Sequence, residues 1–448
     1  MNPRIAVDYN QPAVLERLAL EVIDLARARG APAAEVGLSS GEGLSVTVRD
    51  GACETVEHER DKSLGITIHL DGRKGSATTS DFSSEALRET VDAALAIARA
   101  AEPDSYAGLA APEYLAREIP DLDLDHPWDL EAEAAIELAL TCERAARGAD
   151  ARLKQSDGCS VNRYRGTRAY ANSHGFHAAY RGTRHGVSAV MIAADAAGMQ
   201  RGYWFSSARD AATLEDAEEI GRIAARRTVA KLGARKIATT RLPVIFENRI
   251  AGGLVGHLVS AISGGAQYRR ASFLLDALGE QVMASGVTIR EEPHRPGGLG
   301  SAPFDDDGIA TNAKTLVDAG RLETYLLSAY AARRLGRAPT GNAGGVHNLV
   351  VRHGERTLEA IIAGFDRALL VTDLMGMGVN GVTGDYSRGA AGFLIEGGAI
   401  AHPVEEITIA GNLKSMFKDI QEIGADIDPR SSVHVGSIVL GEMAIAGS

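Results

Sequence analysis

Nothing in this chain lets cysteine build a framework. The three cysteines, Cys53, Cys142 and Cys159, form no C-x-x-C pair and are odd in number. That excludes a structural zinc ribbon and argues for reduced thiols rather than disulfides. Aromatic residues are scarce, at 5% of 448 residues, so the bulky members of the cores must be mostly Leu, Ile and Val. No run reaches the roughly 18 apolar residues that span a bilayer. Residues 1–8 carry no apolar stretch of a secretory leader, and the expectation is a cytoplasmic chain without a membrane partner. A net basic charge is missing as well: the formal charge is −12, with Lys and Arg scattered among the acids. Such a field repels phosphate backbones, so no direct nucleic-acid partner is expected. The best local basic cluster, Tyr268-Arg269-Arg270 with Arg290 and His294, is interrupted by Glu291 and Glu292 and reads as a solvated loop face.

Glycine, by contrast, is abundant, at 50 residues, and it punctuates a legible order of elements. Leu15, Leu18, Val22 and Leu25 recur at helical spacing over 13–29, between Pro12 and Gly30. Leu44, Val46 and Val48 alternate up to an Asp50-Gly51 turn, and Leu64, Ile66, Ile68 and Leu70 alternate up to Asp71-Gly72, which predicts an antiparallel meander. A second helix is expected over 84–100. Residues 101–128, with Pro103, Pro112, Pro120 and Pro127, break all periodicity and mark a boundary. Beyond it come a helix over 131–147, strand-like segments at 161–171 and 177–193, and a helix over 215–232. Pro243-Val244-Ile245-Phe246 opens a last third of strands and long glycine loops at 297–300, 305–308, 341–345 and 375–398, with a hairpin at 394–400 and a strand at 437–440. The fold expected is α+β: helix and antiparallel-sheet domains over 12–122 and 123–236, then a glycine-rich, strand-rich domain over 237–448.

Several stretches resemble sites and fail on context. Gly376, Gly378 and Gly381 fit G-x-G-x-x-G, but no helix follows to receive a pyrophosphate. Ser387 lies in Gly384-Asp385-Tyr386-Ser387-Arg388-Gly389, one residue too long for a nucleophile elbow; Asp385 and Arg388 there could pair or frame a pocket. Asp305-Asp306-Asp307-Gly308 lacks calcium-loop spacing and reads as a turn. His257 sits in an apolar, helical segment, yet zinc catalysis needs about three ligands and a carboxylate base. Gly252 and Gly253 can supply neither, and all the cysteines precede Ser160.

The segment from Leu254 through His257 to Gly265, followed by Tyr268-Arg269-Arg270-Ala271-Ser272-Phe273-Leu274, resembles the PmbA (TldE) branch of the TldD/PmbA family. Further matches are Ser63-Leu64-Gly65-Ile66-Thr67-Ile68, Asn172-Ser173-His174-Gly175, Gly344-Gly345-Val346-His347-Asn348, Thr383-Gly384-Asp385-Tyr386-Ser387-Arg388-Gly389 and Ile407-Thr408-Ile409-Ala410-Gly411-Asn412. In the catalytic TldD branch the helix carries His-Glu-x-x-x-His; the register here sets Gly252 at the first histidine, Gly253 at the glutamate and His257 at the second histidine. The resemblance therefore implies a metal-free subunit with no catalytic residue and no cofactor of its own. Zinc is expected on a TldD-like catalytic subunit that pairs with it as a heterodimer. Together they would cleave unfolded or small peptides, such as a microcin precursor or an antitoxin. The family's label as a modulator of DNA gyrase would then reflect indirect action. A peptide added as a strand would suit such a cavity, and His257, Asp385, Tyr386, Ser387 and Arg388 are its candidate lining.

Two other readings compete. One is a homo-oligomeric peptide-binding or scaffold protein, most simply a two-fold dimer. The other is an autonomous hydrolase using Ser387, or His257 with His347 and His353.

Overall fold

The computed structural model describes residues 7–196 and 198–447. Helix α1 (Pro12–Ala28) places Pro12 in the first turn, where no intrahelical N–H is required, and buries Leu15, Leu18, Val22 and Ile23. Strands β1 (Ala33–Arg49), β2 (Ala52–Leu70) and β3 (Arg73–Thr79) follow. Both hairpins turn on the expected Asp-Gly pairs, all four residues having positive φ: 51° and 83° at Asp50 and Gly51, 50° and 73° at Asp71 and Gly72. This is the backbone twist that two-residue hairpins prefer. Helix α2 (Ser84–Ala100) starts at Ser83, whose side chain accepts from the Ala86 N–H. Next come α3 (Ala132–Gly148), β4 (Leu153–Asn172), β5 (His177–Asp195), β6 (Gly198–Ala208) and α4 (Ala217–Val229).

These six strands form one antiparallel sheet in the order β3-β2-β1-β4-β5-β6. Residues on either side of position 122 contribute three strands each, joined where β1 pairs β4 from Val48↔Cys159 to Glu35↔Asn172. Strand alternation divides the side chains between two faces. One face carries Val36, Leu38, Leu64, Ile66 and Ile68 under α1 and α2. Val46, Val161, Val187 and Met191 continue it under α3 and α4. Close packing requires glycine at two places in this layer: a Cβ at Gly75 of β3 would collide with the Ala94 carbonyl of α2, and one at Gly221 of α4 with the Cys142 carbonyl of α3. The strands extend well beyond the alternation visible in the sequence. The first half of β1 presents Gly37, Ser39 and Gly41 on the uncovered face, while residues 52–63 of β2 are exposed and carry mostly charged or polar groups.

The last third contains β7 (Thr240–Phe246), α5 (Asn248–Ile262), α6 (Gly264–Tyr268), β8 (Ile289–Glu291), β9 (Lys314–Asp318), β10 (Arg321–Leu322), α7 (Ala329–Leu335), β11 (Leu349–Val351), α8 (Leu358–Ile362), β12 (Arg367–Met375), β13 (Asp385–Glu396), β14 (Ala399–Asn412), α9 (Leu413–Lys418), β15 (Ile420–Ile423), β16 (Val433–His434) and β17 (Ile438–Ala446). One sheet runs β14-β13-β12-β7-β17-β15, and β14 also pairs β17, which closes it into a barrel. A second runs β10-β9-β8-β11-β16. The expected loop over 375–398 is corrected here: from Asp385 onward it is β13, paired to β12 and β14. Its small residues Ser387, Gly389, Ala391 and Gly392 hide the apolar alternation by which strands are recognised.

Cations clamp the last third to the first sheet. The Arg430 guanidinium lies 3.8 Å from the Trp204 ring centroid while pairing with Asp428 at 2.8 Å. Arg227 pairs with Glu247 at 2.8 Å and Lys231 with Asp373 at 3.0 Å. Among the described residues, no helix is long and apolar enough to cross a membrane.

Candidate functional site

Two places compete as the site. The first surrounds α5, where His257 is half-buried with its ring 5.9 Å from that of Tyr386, edge to face at 80°. Tyr386 is buried against Phe246, its hydroxyl has no hydrogen-bond partner among the described residues, and burial pushes the phenol up to about 12. Arg388, two residues on along the same strand face, also keeps a buried Nε without a partner. Burial first, and the Arg388 charge second, hold His257 below its ordinary value, so its imidazole is neutral at physiological pH.

The five residues expected to line one cavity therefore separate. His257, Tyr386 and Arg388 come together, whereas Asp385 and Ser387 point to the opposite, exposed face of β13. Alternation forbids an Asp385–Arg388 pair. Asp385 instead accepts from Thr383 Oγ1 at 2.6 Å and Asn412 Nδ2 at 3.1 Å, contacts that lower its pKa. Ser387 uses its backbone N–H on the Gly378 carbonyl at 2.7 Å. His347 is buried against Glu291, and His353 is exposed beside the Gly354 carbonyl. Among the described residues, no three His, Cys, Asp or Glu side chains gather as metal ligands.

The second place is a cleft between the uncovered face of the first sheet and the loops of the last third. Two cavities of about 460 and 470 Å³ adjoin there, sharing Ser39, Arg168, Tyr180 and the Phe304–Asp306 segment as walls. Glycine makes its floor. Gly37 faces Gly65 on one neighbouring strand and Tyr170 on the other, and a Cβ at Gly37 would meet nothing within 4 Å. A second row, Gly41–Gly166–Gly182, crosses β1, β4 and β5. The Tyr164 ring lies over Gly41 and Gly166, where a Cβ would collide with it. An aromatic cluster seats the loops on the sheet: Phe304 packs edge-on against Phe176 at 5.3 Å and Tyr180 at 5.5 Å.

Charge in this cleft is polarised. One end holds Glu35 and Asp307, the other Arg184, Arg209 and His347, with Arg168, Asp305 and Asp306 between them. Asp305 accepts from the N–H groups of Ala343, Ile309 and Asp307 at 2.9 to 3.0 Å. Burial, and then the Asp307 charge, outweigh those bonds and push Asp305 up to about 7. The expected turn is present, since the Gly308 N–H donates to the Asp305 carbonyl at 2.9 Å, but its carboxylates also wall the cleft. Glu291, under the loops, is the opposite case. Burial raises it, yet His347 at 2.8 Å and Lys314 at 2.8 Å outweigh burial and bring it to about 2.

Sequence reasoning missed the arginines and tyrosines of this cleft. They are spread over β4, β5 and, for Arg209, the residue after β6, and only the register sets Arg168 opposite Tyr180 and Tyr164 opposite Arg184 on the cleft face.

Comparison with known proteins covers nearly the whole chain. Models described as PmbA/TldA metallopeptidase domain 1, central domain and C-terminal domain match residues 34–98, 125–232 and 239–447. The chain is 45% identical over 437 residues to Metalloprotease PmbA of Escherichia coli O157:H7, spanning 98% of this chain and 97% of that one. It is 42% identical to a Metalloprotease PmbA homolog of Haemophilus influenzae, over 95% and 94% of the two chains. A Bacteroides thetaiotaomicron crystal structure labelled a modulator of DNA gyrase superposes with a TM-score of 0.92 at 29% identity, over 97% and 99% of the chains. TldE from Thermococcus kodakarensis shares the fold, with a TM-score of 0.85 at 22% identity over 96% and 100%.

Proposed function

Since this chain belongs to the PmbA/TldD metallopeptidase family, in its PmbA/TldE branch, we propose that it is the zinc-free, peptide-holding subunit of a two-chain cytosolic metallopeptidase. In this reading a TldD-like partner supplies the zinc, and unfolded or small peptides are the substrate. The observation that carries it is the donor set on α5. Gly252 and Gly253 offer no ligand and no base, and the aromatic Tyr386 and the cationic Arg388 are the groups that meet His257. A three-ligand zinc centre does not suit this place, because a neighbouring guanidinium opposes a second cation and, among the described residues, no three imidazole, thiolate or carboxylate side chains gather. Replacing His257 would accordingly leave zinc content unchanged.

The polarised cleft is what supports the holding role. Its floor lacks side chains at Gly37 and Gly65, so an extended main chain can approach the sheet there, and its walls offer charges of both signs to a peptide of varied sequence. Sub-stoichiometric zinc is expected for the purified chain, with peptidase turnover only after mixing with a TldD-like subunit. One zinc per chain in elemental analysis of this protein alone, or peptide cleavage by it unmixed, refutes the proposal.

A further inference from the structure

The uncovered sheet face carries an unbalanced row of guanidinium groups. Arg165 and Arg181 project from the same strands on the other face, and each pairs with Asp125 at 2.7 Å; Arg201 on β6 pairs with Asp157 at 2.7 Å. Arg168, Arg184 and Arg209 have no ion pair among the described residues. Arg184 donates through Nε to Ser207 Oγ at 3.1 Å, and its terminal nitrogens make no hydrogen bond among the described residues. Arg209 lies over Gly182, where a Cβ would stand 2.7 Å from its Nη1. It is fixed there by the carbonyls of Gly298, Leu299 and Thr183 at 2.9 to 3.2 Å. Those neutral acceptors do not cancel its charge, and burial together with the nearby Arg184 disfavours the cation. Arg168 stands opposite Tyr180, one side-chain step beyond the Gly166–Gly182 gap from which Arg184 stands on the other side.

Three guanidiniums held along one wall outside any ion pair, with Asp305 and Asp306 as the nearest acids of the cleft, attract an anion of matching geometry, and a guanidinium fork matches a planar carboxylate in two parallel hydrogen bonds. We infer that the Arg168–Arg209–Arg184 row is a carboxylate-binding site for the peptide lying in the cleft. Arg168 and Arg184 contact the ligand, and Arg209 is a fixed charge between them. The carboxylate has two possible sources, the free C-terminus of the peptide or an acidic side chain within it. This assignment rests on the peptide-holding reading and deepens it by giving the held peptide a charge preference. The acidic end of the cleft, at Glu35 and Asp307, disfavours the reverse placement.

The test is fluorescence anisotropy on the full purified chain with three labelled decapeptides of otherwise neutral sequence. The parent has one central Glu and a free C-terminus, the second is C-terminally amidated, and the third has Glu replaced by Gln. At low salt, either the amide or the Gln peptide is expected to bind about tenfold more weakly than the parent, and which of the two loses affinity identifies the source. In Arg168→Gln and Arg184→Gln the parent should fall to the level of the weaker peptide, with unchanged thermal unfolding, while Arg184→Lys retains part of the preference. Equal affinity of all three peptides for the unmodified protein, or a preference that survives both Gln variants, overturns the assignment and leaves the holding role standing. Absence of binding by any of the three overturns both.

Discussion

The two faces of the first sheet are built by alternate residues of the same strands and are treated in opposite ways. Under α1 to α4 the face carries Val, Ile and Leu packed to near-zero exposure. Toward the last third it carries Gly37, Gly41, Gly166 and Gly182, interleaved with Ser39, Tyr164, Arg168, Tyr180 and Arg184. Along β2 the change occurs from one residue to the next: Ile66 is 1% exposed, while Thr67 faces the cleft and bonds Ser76 at 2.9 Å. Because four helices hold one face, the other is released from packing, and glycine can occupy it at the cost of local strand stiffness. The lesson is that stability and binding are separated here by a single alternation rather than by distance along the chain.

The largest effect that would sharpen this contrast is expected at Ile66. Ile66→Ala should cost about 2–5 kcal/mol in urea unfolding, by lost transfer energy and a cavity under the helices. Thr67→Ala, one residue along on the other face, should cost no more than about 1 kcal/mol, the typical worth of its single hydrogen bond. Comparable losses at the two positions would break the comparison.

Next in size is a pH effect of the cleft itself. Asp305 has its pKa raised in the folded protein, from 3.8 to about 7. It binds its proton more tightly folded than unfolded, so its contribution to stability falls as pH rises from about 4 to about 7. Glu291, lowered from 4.5 to about 2, has the opposite sign: its contribution is complete above 4.5 and is lost as pH drops toward 2. Asp305→Asn should remove roughly 2 kcal/mol of the decline between pH 5 and 8. A variant whose urea midpoint tracks the parent across that range would show that Asp305 ionises freely.

The smallest stability effect is expected at Gly37. Its added methyl meets nothing within 4 Å, so Gly37→Ala should change stability by less than about 0.5 kcal/mol while narrowing the floor and weakening peptide binding. Unchanged peptide affinity would move the binding surface elsewhere. The covered face supplies the control, because Gly75→Ala drives a methyl into the backbone of α2 and should destabilise strongly.

Helical spacing located α1, α2 and α3 to within a residue, and the Asp-Gly pairs located both hairpins. These signals are local: a 3.6-residue apolar period and a left-handed turn are written in adjacent residues. β13 was hidden because Ser387, Gly389 and Ala391 give it no apolar alternation, although Tyr386 and Ala390 are buried on its other side. The expected grouping of His257 with residues 385–388 was half legible. Strand geometry admits Tyr386 and Arg388 to the histidine and turns Asp385 and Ser387 away. The cleft was not legible at all, since Gly41, Gly166 and Gly182 are ordinary glycines until three strands are set in register.

By itself the sequence determined helices α1 to α4, both Asp-Gly turns, the acidic field and the lack of ligand side chains at Gly252 and Gly253, because each depends on residue chemistry or short-range period; the short helices α6 to α9 among the expected loops were not legible. Only the tertiary structure decided that the strands before and after position 122 make one sheet, that its second face lines a cleft, and that three arginines stand there outside any ion pair among the described residues. Those outcomes depend on pairing between residues more than a hundred positions apart. Register between distant strands is set by the packing of the covered face, and the chemistry of the uncovered one follows from it.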